Sequence, residues 1–396
     1  MALANGIKIV GEEPYAENLH VRFCEGQADS NHSHYDILTQ YKMKERECRA
    51  LSTRLNVMGN PFILTFGREP INFIPRIDFL QKVRDDFYSD THPNQAYMVT
   101  GLRGTGKTVF LTKLSKEFEQ NKNWIVVDLN PQRDMLESFA SQLYNNRKVG
   151  HLFTKAELNI SFSGIGFSIE RERPTNDIET IIYKMVDHLS KKNINILITV
   201  DDATSNENVK IFAHTYQGLI RKDYPVFLLM SGLYENITSI QKNKALTFLS
   251  RVPKLILKPL NMPMIKESYQ EIFNIDDSVA VKMAKLTAGY AYAYQVLGYL
   301  MWESNDKNIN KKMLSEYEHY LAEFVYDKIW EGLSEKEKEI IIFISKEEKI
   351  NIRANELSVY RDKLIKYGIL QSKQRGKLSF SLPRFKEYVS NVLLFQ

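Results

Sequence analysis

The string Gly101-Leu102-Arg103-Gly104-Thr105-Gly106-Lys107-Thr108 combines residue types and a spacing that suit one task, the cradling of phosphate. Gly101, Gly104 and Gly106 permit positive φ and close backbone approach, so successive N–H groups can converge on phosphate oxygens at a helix N-terminus. Lys107 has the reach for β- and γ-phosphates, and the Thr108 hydroxyl can ligate Mg²⁺. This is the Walker A spacing. A second constellation lies about 90 residues on, where the apolar run Ile194–Val200 ends in Asp201-Asp202. It reads as Walker B: Asp201 shares the Mg²⁺ shell with Thr108, and Asp202 orients or deprotonates the attacking water. The expected cofactors are therefore ATP and Mg²⁺, and the expected reaction is slow, Mg²⁺-dependent ATP hydrolysis. Ser231, ending the run Val226–Gly232, is a candidate sensor of the γ-phosphate side or simply a Ser-Gly turn. Arg251 is a candidate for completing a nucleotide site at a subunit or domain boundary, and reads equally well as a solvated arginine.

The elements that position these residues follow from periodicity. Tyr97–Thr100 is an apolar run of strand length, and Val109, Phe110, Leu111, Leu114 and Phe118 recur at helical spacing behind the loop. Trp124–Leu129, Ile194–Val200, Val226–Gly232 and Leu255–Leu257 supply further strands, with helices expected over 133–147 and 212–221 between them. Continuous apolar strands alternating with helices predict a parallel sheet buried on both faces. Such a sheet places its ligand at the carboxyl ends of the strands, which brings Asp201 and Asp202 beside the glycine-rich loop. Leu158–Phe162 and Phe167–Ile169 alternate around Ser163-Gly164 and predict a β-hairpin; Gly164-Ile165-Gly166 lacks the third glycine and the helix of a dinucleotide site.

Composition narrows the class. At 396 residues, 43% apolar, the chain is long enough for two or three domains with sizeable cores. No apolar run approaches the ~20 residues needed to cross a bilayer, and no secretory h-region opens the chain. Two cysteines, Cys24 and Cys48, make no disulfide framework, so a reduced, cytoplasmic setting without membrane partners is expected. Residues 1–57 hold both cysteines and three of the eight histidines with little periodicity. Cys24, His32, His34 and Cys48 do not form the tight ligand pairs of a zinc site. Because Met58-Gly59-Asn60 reads as a natural start, these 57 residues are expected to be a poorly ordered extension, dispensable or an over-extended reading frame.

The expected domains are 58–258, the phosphate-binding α/β domain; 259–322, a helical lid opening after Pro259 and Pro263; and 323–396. In the lid, Ile265–Phe273, Ser278–Thr287 and Tyr292–Trp302 read as helices, with the tyrosines after Gly289 expected in the core rather than in an aromatic cage. In the last unit Ser334-x-x-Glu337 is a capping box opening a helix, 355–367 is expected to carry two more short helices, and 369–372 and 378–382 form a hairpin around Lys373-Gln374-Arg375-Gly376-Lys377. Three helices and a hairpin look like a winged helix. Residues 350–396 hold nine Lys or Arg against three acids, a net +6 against +5 for the whole chain, which suits contact with a DNA backbone through 350–386. Packing or protein binding is the other use of such a module.

Residues 61–396 resemble the winged-helix-bearing AAA+/STAND-like P-loop ATPases, similar to archaeal-type ATPases and, more distantly, to origin-recognition initiator ATPases. The resemblance rests on Gly101–Thr108, Asp201-Asp202, the Ser231-Gly232-Leu233 strand end, Gly289 and the C-terminal wing. Phe73, Arg76 and Leu80 resemble the family's stretch beside adenine, with Pro75 where glycine is usual. The resemblance implies a parallel 5-1-4-3-2 sheet, a helical lid and a winged helix, and an ATP-driven switch whose output is a DNA contact, a protein partner or a homo-oligomer. The family's sensor arginine after Gly289 is replaced by Ala291, Tyr292 and Ala293, which favours a switch over a processive motor. The alternative reading is a regulatory or defence-type nucleotide-binding scaffold with negligible turnover and protein partners.

Overall fold

The computed structural model describes residues 59–65, 67–153, 160–163, 166–169, 177–304, 308–347, 354–374 and 377–394. The expectations for residues 1–57, including Cys24, His32, His34 and Cys48, lie outside these, as do Met58, Gly164 of the hairpin turn and Arg375 of the basic turn.

Helix α1 (Ile77–Tyr88) precedes strand β1 (Ala96–Thr100), the glycine-rich loop and helix α2 (Lys107–Gln120). Strand β2 (Trp124–Leu129), helix α3 (Met135–Tyr144), the hairpin β3 (Ile160–Ser163) and β4 (Gly166–Ile169), and helix α4 (Ile178–Ser190) follow. Then come β5 (Asn195–Val200), α5 (Glu207–Ile220), β6 (Val226–Gly232), α6 (Tyr234–Lys242) and β7 (Lys254–Ile256). Five of these strands form one sheet in the order β2-β5-β6-β1-β7, with every pairing parallel. Counted along the chain and read from the β7 edge, this is 5-1-4-3-2, as expected.

Alternation along the strands sorts the core into two layers. Tyr97 and Val99 pack with Leu80, Val83, Phe87, Phe110, Leu114 and Phe118 of α1 and α2. Met98 points the other way, into the layer formed by α3, α4 and α5, among them Phe139, Ile182 and Phe212. Side chains start the helices that the strands feed: Asp134 accepts from the Glu137 N–H at 2.9 Å and Asn206 from the Val209 N–H at 2.9 Å. At the β2 edge the Gln142 amide imitates a strand, accepting from the Asp128 N–H (3.2 Å) and donating to its C=O (2.6 Å). That blunts an edge otherwise open to pairing.

Beyond β7, helices α7 (Met262–Phe273), α8 (Asp277–Thr287), α9 (Ala291–Glu303) and α10 (Lys311–Leu321) pack together. A π-helical turn, Ala322–Tyr326, leads into the short α11 (Asp327–Glu331) and then α12 (Glu335–Lys346). One apolar cluster runs from Phe62 through Tyr269 and Tyr294 to Ile340, Leu364 and Val389, so the lid helices and the C-terminal module share a core. Phe62 anchors a strap, residues 60–65 and 67–74, to the lid: its ring lies 5.6 Å from Phe273, 5.7 Å from Tyr294 and 6.0 Å from Tyr269. The contact needs Gly298, where a Cβ would come 2.1 Å from the Phe62 ring. No helix among the described residues is long and apolar enough to cross a membrane.

Two details of the C-terminal module differ from the sequence expectation. Residues 354–367 form one helix, α13 (Ala354–Tyr367), rather than two, because no Gly or Pro interrupts the stretch. After the hairpin of β8 (Leu370–Gln374) and β9 (Lys377–Phe380) comes a helix not expected from the sequence, α14 (Phe385–Leu394), which buries Phe385, Tyr388 and Val389 at i, i+3, i+4 spacing.

The capping box at Ser334 is present and does more than start a helix. Glu337, 1% exposed, accepts from the Ser334 N–H at 2.8 Å and hydroxyl at 2.7 Å, and its other oxygen meets the Lys363 ammonium of α13 at 2.6 Å. Burial pushes this carboxyl up, but Lys363 and Ser334 together outweigh burial and hold it below its ordinary value of 4.5. The stability it contributes is therefore fully present above about pH 4.5 and is lost as acid protonates the folded carboxyl. Glu337→Gln is expected to destabilise the fold by about 1–3 kcal/mol at neutral pH. In chemical denaturation the gap from the parent chain should close as pH falls through that range; a gap independent of pH would remove the charge from this account.

Candidate functional site

The glycine-rich loop owes its shape to two residues with positive φ, Gly104 (+75°) and Gly106 (+87°), the latter capping α2. Within it, the Lys107 ammonium donates to the carbonyls of Gly101 (3.2 Å) and Leu102 (2.9 Å). Burial lowers its pKa to about 8, against the opposing pull of Asp201 and Asp202, and nearby Arg103 lowers it further. Thr105 folds back, its hydroxyl donating to Leu102 O at 2.8 Å.

Opposite the loop, the strand ends supply the carboxylates. The Thr108 hydroxyl donates to Asp201 Oδ2 at 2.6 Å, and the buried Ser231 hydroxyl donates to Asp201 Oδ1. Adjacent β5 and β6 thus hold Asp201 between the phosphate-loop helix and the sensor candidate. Ser231 reaches the site through Asp201 rather than by lining the cavity. The donor set of Thr108 and Asp201 is that of a hard divalent cation, and these are the residues that would hold Mg²⁺. Asp202 is exposed, with φ of +51°, a left-handed conformation that Asp tolerates better than most residues. The following Ala203 N–H donates to Ser231 O at 2.8 Å, fixing the turn that presents it.

Two cavities meet at these groups. The first, about 510 Å³, is lined by Arg103, Gly104, Gly106, Lys107, Thr108, Asp201 and Asp202 and by apolar side chains of the strap and lid, among them Ile63, Leu64, Phe73, Ile74 and Leu260. A nucleotide, with its phosphates and its base, needs both kinds of lining. The second, about 680 Å³, runs between α2 and β2 and reaches Thr108, Asp201 and Asp202 from the far side. Arg76 lines the first cavity as a brace: its guanidinium donates to Thr105 O at 2.7 Å and Lys258 O at 3.2 Å, and burial lowers its pKa to about 10. Gly101, Leu102 and Thr105 stand behind the loop, serving it through backbone carbonyls. Arg251 is exposed at the end of a 3₁₀ segment, Lys244–Arg251, and borders neither cavity.

Several lining residues give no sequence signal because they come from distant segments. The strap is tied to α9 by Ile63 N–H donating to Gln295 Oε1 (3.0 Å) and to α2 by Glu69, whose carboxylate meets Lys113 (3.3 Å) and Lys116 (2.9 Å). The lid touches the loop directly: Tyr290 Oη donates to Arg103 O, and the Tyr292 N–H to Gly104 O at 3.1 Å. Tyr290, Tyr292 and Tyr294 are buried, as expected of core residues. The C-terminal module touches it too, since Leu102 packs against Gly368, where an added Cβ would lie 3.5 Å from its side chain.

The parallel sheet with its phosphate loop and paired strand-end carboxylates defines a P-loop NTPase. Residues 88–232 match the KAP family P-loop domain, and residues 323–389 match a domain of unknown function (DUF8462). No curated protein matches the sequence. Among solved structures, a Walker-type ATPase of Pyrococcus abyssi is similar over 80% of this chain and 96% of its own, with a TM-score of 0.53 at 12% identity. The ORC2 protein of Aeropyrum pernix, in ADPNP–ADP complexes, is similar over 84% of this chain and 97% of its own, with a TM-score of 0.52 at 13% identity. At such identities the likeness is one of fold.

Proposed function

We propose that this chain is an ATP-binding, ATP-hydrolysing switch in which the nucleotide state sets how the lid and a C-terminal winged helix sit on the phosphate loop. The observation that carries the reading is the convergence of Lys107, Thr108, Asp201 and Asp202 on one cavity whose loop is also gripped by Tyr290 of the lid and by Gly368 of the C-terminal module. Mg²⁺ supplies charge neutralisation when bound. Thr108 and Asp201 would hold it, Ser231 orients Asp201, Lys107 would turn from the loop carbonyls to phosphate oxygens, and Asp202 would orient or deprotonate the attacking water. A phosphate drawing on the Lys107 ammonium competes with its hydrogen bond to the carbonyl of Leu102, the residue that packs on Gly368. A ligand shifts such an equilibrium only by contacting the two states differently, and in this reading that contact is the difference. Arg251, remote from both cavities, would act only at a neighbouring copy's site.

The output of the switch rests on charge. Within 350–396, Arg361 pairs with Asp362 (3.0 Å), Lys363 with Glu337 (2.6 Å), Arg384 with Glu318 (2.5 Å) and Glu387 (2.7 Å), and Lys386 with Glu347 (2.5 Å). Glu337, Glu318 and Glu347 lie outside the segment, so these pairs leave less charge for a DNA backbone than the formal +6. This pairing favours the second reading, a regulatory or defence-type scaffold with negligible turnover and a protein partner. ATP turnover and duplex binding measured at two salt concentrations separate the two. A DNA-binding switch is expected to show salt-dependent affinity, and neutralising Lys373, Arg375 and Lys377 together should lower the slope of log affinity against log salt by up to about 3. Binding indifferent to those substitutions would leave the scaffold.

A further inference from the structure

The first cavity is not closed by the lid helix alone. Helix α9, Ala291–Glu303, carries no lysine or arginine, so the lid brings Ala291 and Tyr292 to the cavity but no cation. A cation comes instead from the segment after it. The π-helical turn Ala322–Tyr326 and the short helix that follows place Glu323, Phe324 and Lys328 on the cavity wall, on the same cavity as Arg103, Lys107 and Asp202. Glu323 stands on the widened turn and Lys328 on the short helix that follows it directly, and both line the cavity. The match to the domain of unknown function begins at residue 323, which makes this turn its opening element.

We propose that Lys328 reads the terminal phosphate of ATP bound in this cavity, so that the C-terminal module senses the nucleotide through its own side chain. The inference rests on the reading of the cavity as an ATP site. Of the other cations on the cavity wall, Arg76 is committed to the carbonyls of Thr105 and Lys258, Lys107 and Arg103 belong to the loop, and Arg68 belongs to the strap, so Lys328 is the cation that the C-terminal module itself brings. Among the described residues Lys328 pairs with Glu331, at 3.0 Å, with both side chains about 60% exposed (58% and 63%). An exposed pair of that kind contributes little, so the ammonium can leave it at small cost. Glu323 faces the same cavity and is paired with His319 at 3.3 Å. An attractive ammonium and a repulsive carboxylate on the turn and the helix it runs into make their position depend on phosphate charge, and ATP carries one more phosphate than ADP. The turn runs directly into α11, a short connection over 332–334 joins α11 to α12, and Glu337 and Lys363 tie α12 to α13, which gives a displacement at Lys328 a route to the module that packs on Leu102.

Affinities of the full chain for Mg²⁺-ATP and Mg²⁺-ADP test this, measured by calorimetry for the parent, Lys328→Ala, Lys328→Arg and Glu331→Gln. Lys328→Ala is expected to weaken ATP about tenfold while moving ADP little, as loss of one partly solvated charge-assisted contact would do. Lys328→Arg should restore the preference, and Glu331→Gln should keep it. The melting temperature without nucleotide should be unchanged in Lys328→Ala, and the extra thermal shift given by ATP over ADP should disappear. Equal weakening of both nucleotides, or an unchanged ATP:ADP ratio, would overturn the role of Lys328 and leave the ATP site standing. A parent chain that bound neither nucleotide would overturn the site and the inference together.

Discussion

Lys107→Ala is expected to abolish measurable ATP binding in the micromolar range. The ammonium is buried, and truncating one partner of a buried, hydrogen-bonded charge pair costs about 2–5 kcal/mol, roughly thirtyfold to several-thousandfold in affinity. A pH dependence specific to this lysine comes with it. In the empty cavity burial lowers the Lys107 pKa to about 8, whereas phosphate oxygens favour the protonated form. Between about pH 8 and the higher pKa of the complex, the free lysine is neutral and the bound one charged, so binding takes up a proton. Affinity should fall as pH rises through 8–9, by up to about tenfold per unit, and calorimetry in buffers of different ionisation enthalpy should register uptake approaching one proton. Lys107→Arg, whose guanidinium stays charged, should flatten the profile. Affinity constant from pH 7 to 9 in the parent chain would show that Lys107 does not face the phosphates.

The second large effect is on turnover. Asp202→Asn is expected to bind ATP within about threefold of the parent while hydrolysing it about 10²–10⁴ times more slowly, the usual worth of a positioned general base. Asparagine is the informative substitution because Asp202 has φ of +51°, and Asn tolerates that conformation as well as Asp does. Alanine would mix backbone strain with lost chemistry. Asp201→Asn should behave differently. Asp201 accepts from both Thr108 and Ser231, so weakening it should raise the Mg²⁺ needed for half-maximal ATP binding as well as slow turnover. Unchanged hydrolysis in Asp202→Asn would take the water-orienting role away from that residue, and identical Mg²⁺ titrations in the two variants would merge the roles assigned to them.

The strands and the phosphate loop were legible in the sequence because their signals are local. An apolar run buried on both faces needs no knowledge of its neighbours, and a glycine that must take positive φ is visible as a glycine. The sheet order followed from the resemblance those motifs carry. The residue types at Lys107, Thr108, Asp201 and Asp202 were equally readable, since ligating Mg²⁺ and orienting water each demand particular side chains. The boundaries that missed lie in the C-terminal module. There one helix was expected as two, and the terminal helix went unseen because its apolar face, Phe385, Tyr388 and Val389, is short and has meaning only against the core it covers.

What the sequence determined by itself is the set of residues for which that chemistry is proposed: a glycine-rich loop, a hydroxyl beside a carboxylate at Thr108 and Asp201, and a second carboxylate at Asp202. Tertiary structure alone decided what closes the cavity around them. Phe62, Glu69, Tyr290, Lys328 and Gly368 come from segments far apart in the chain, and no spacing rule links them to Gly101–Thr108. Their roles arise from packing, in which a strap, a lid helix and a π turn are carried to the loop by one apolar core. The net charge of the C-terminal module was countable in sequence, but only the fold showed that Lys363, Arg384 and Lys386 are already paired with acids outside residues 350–396, because pairing depends on which helices meet.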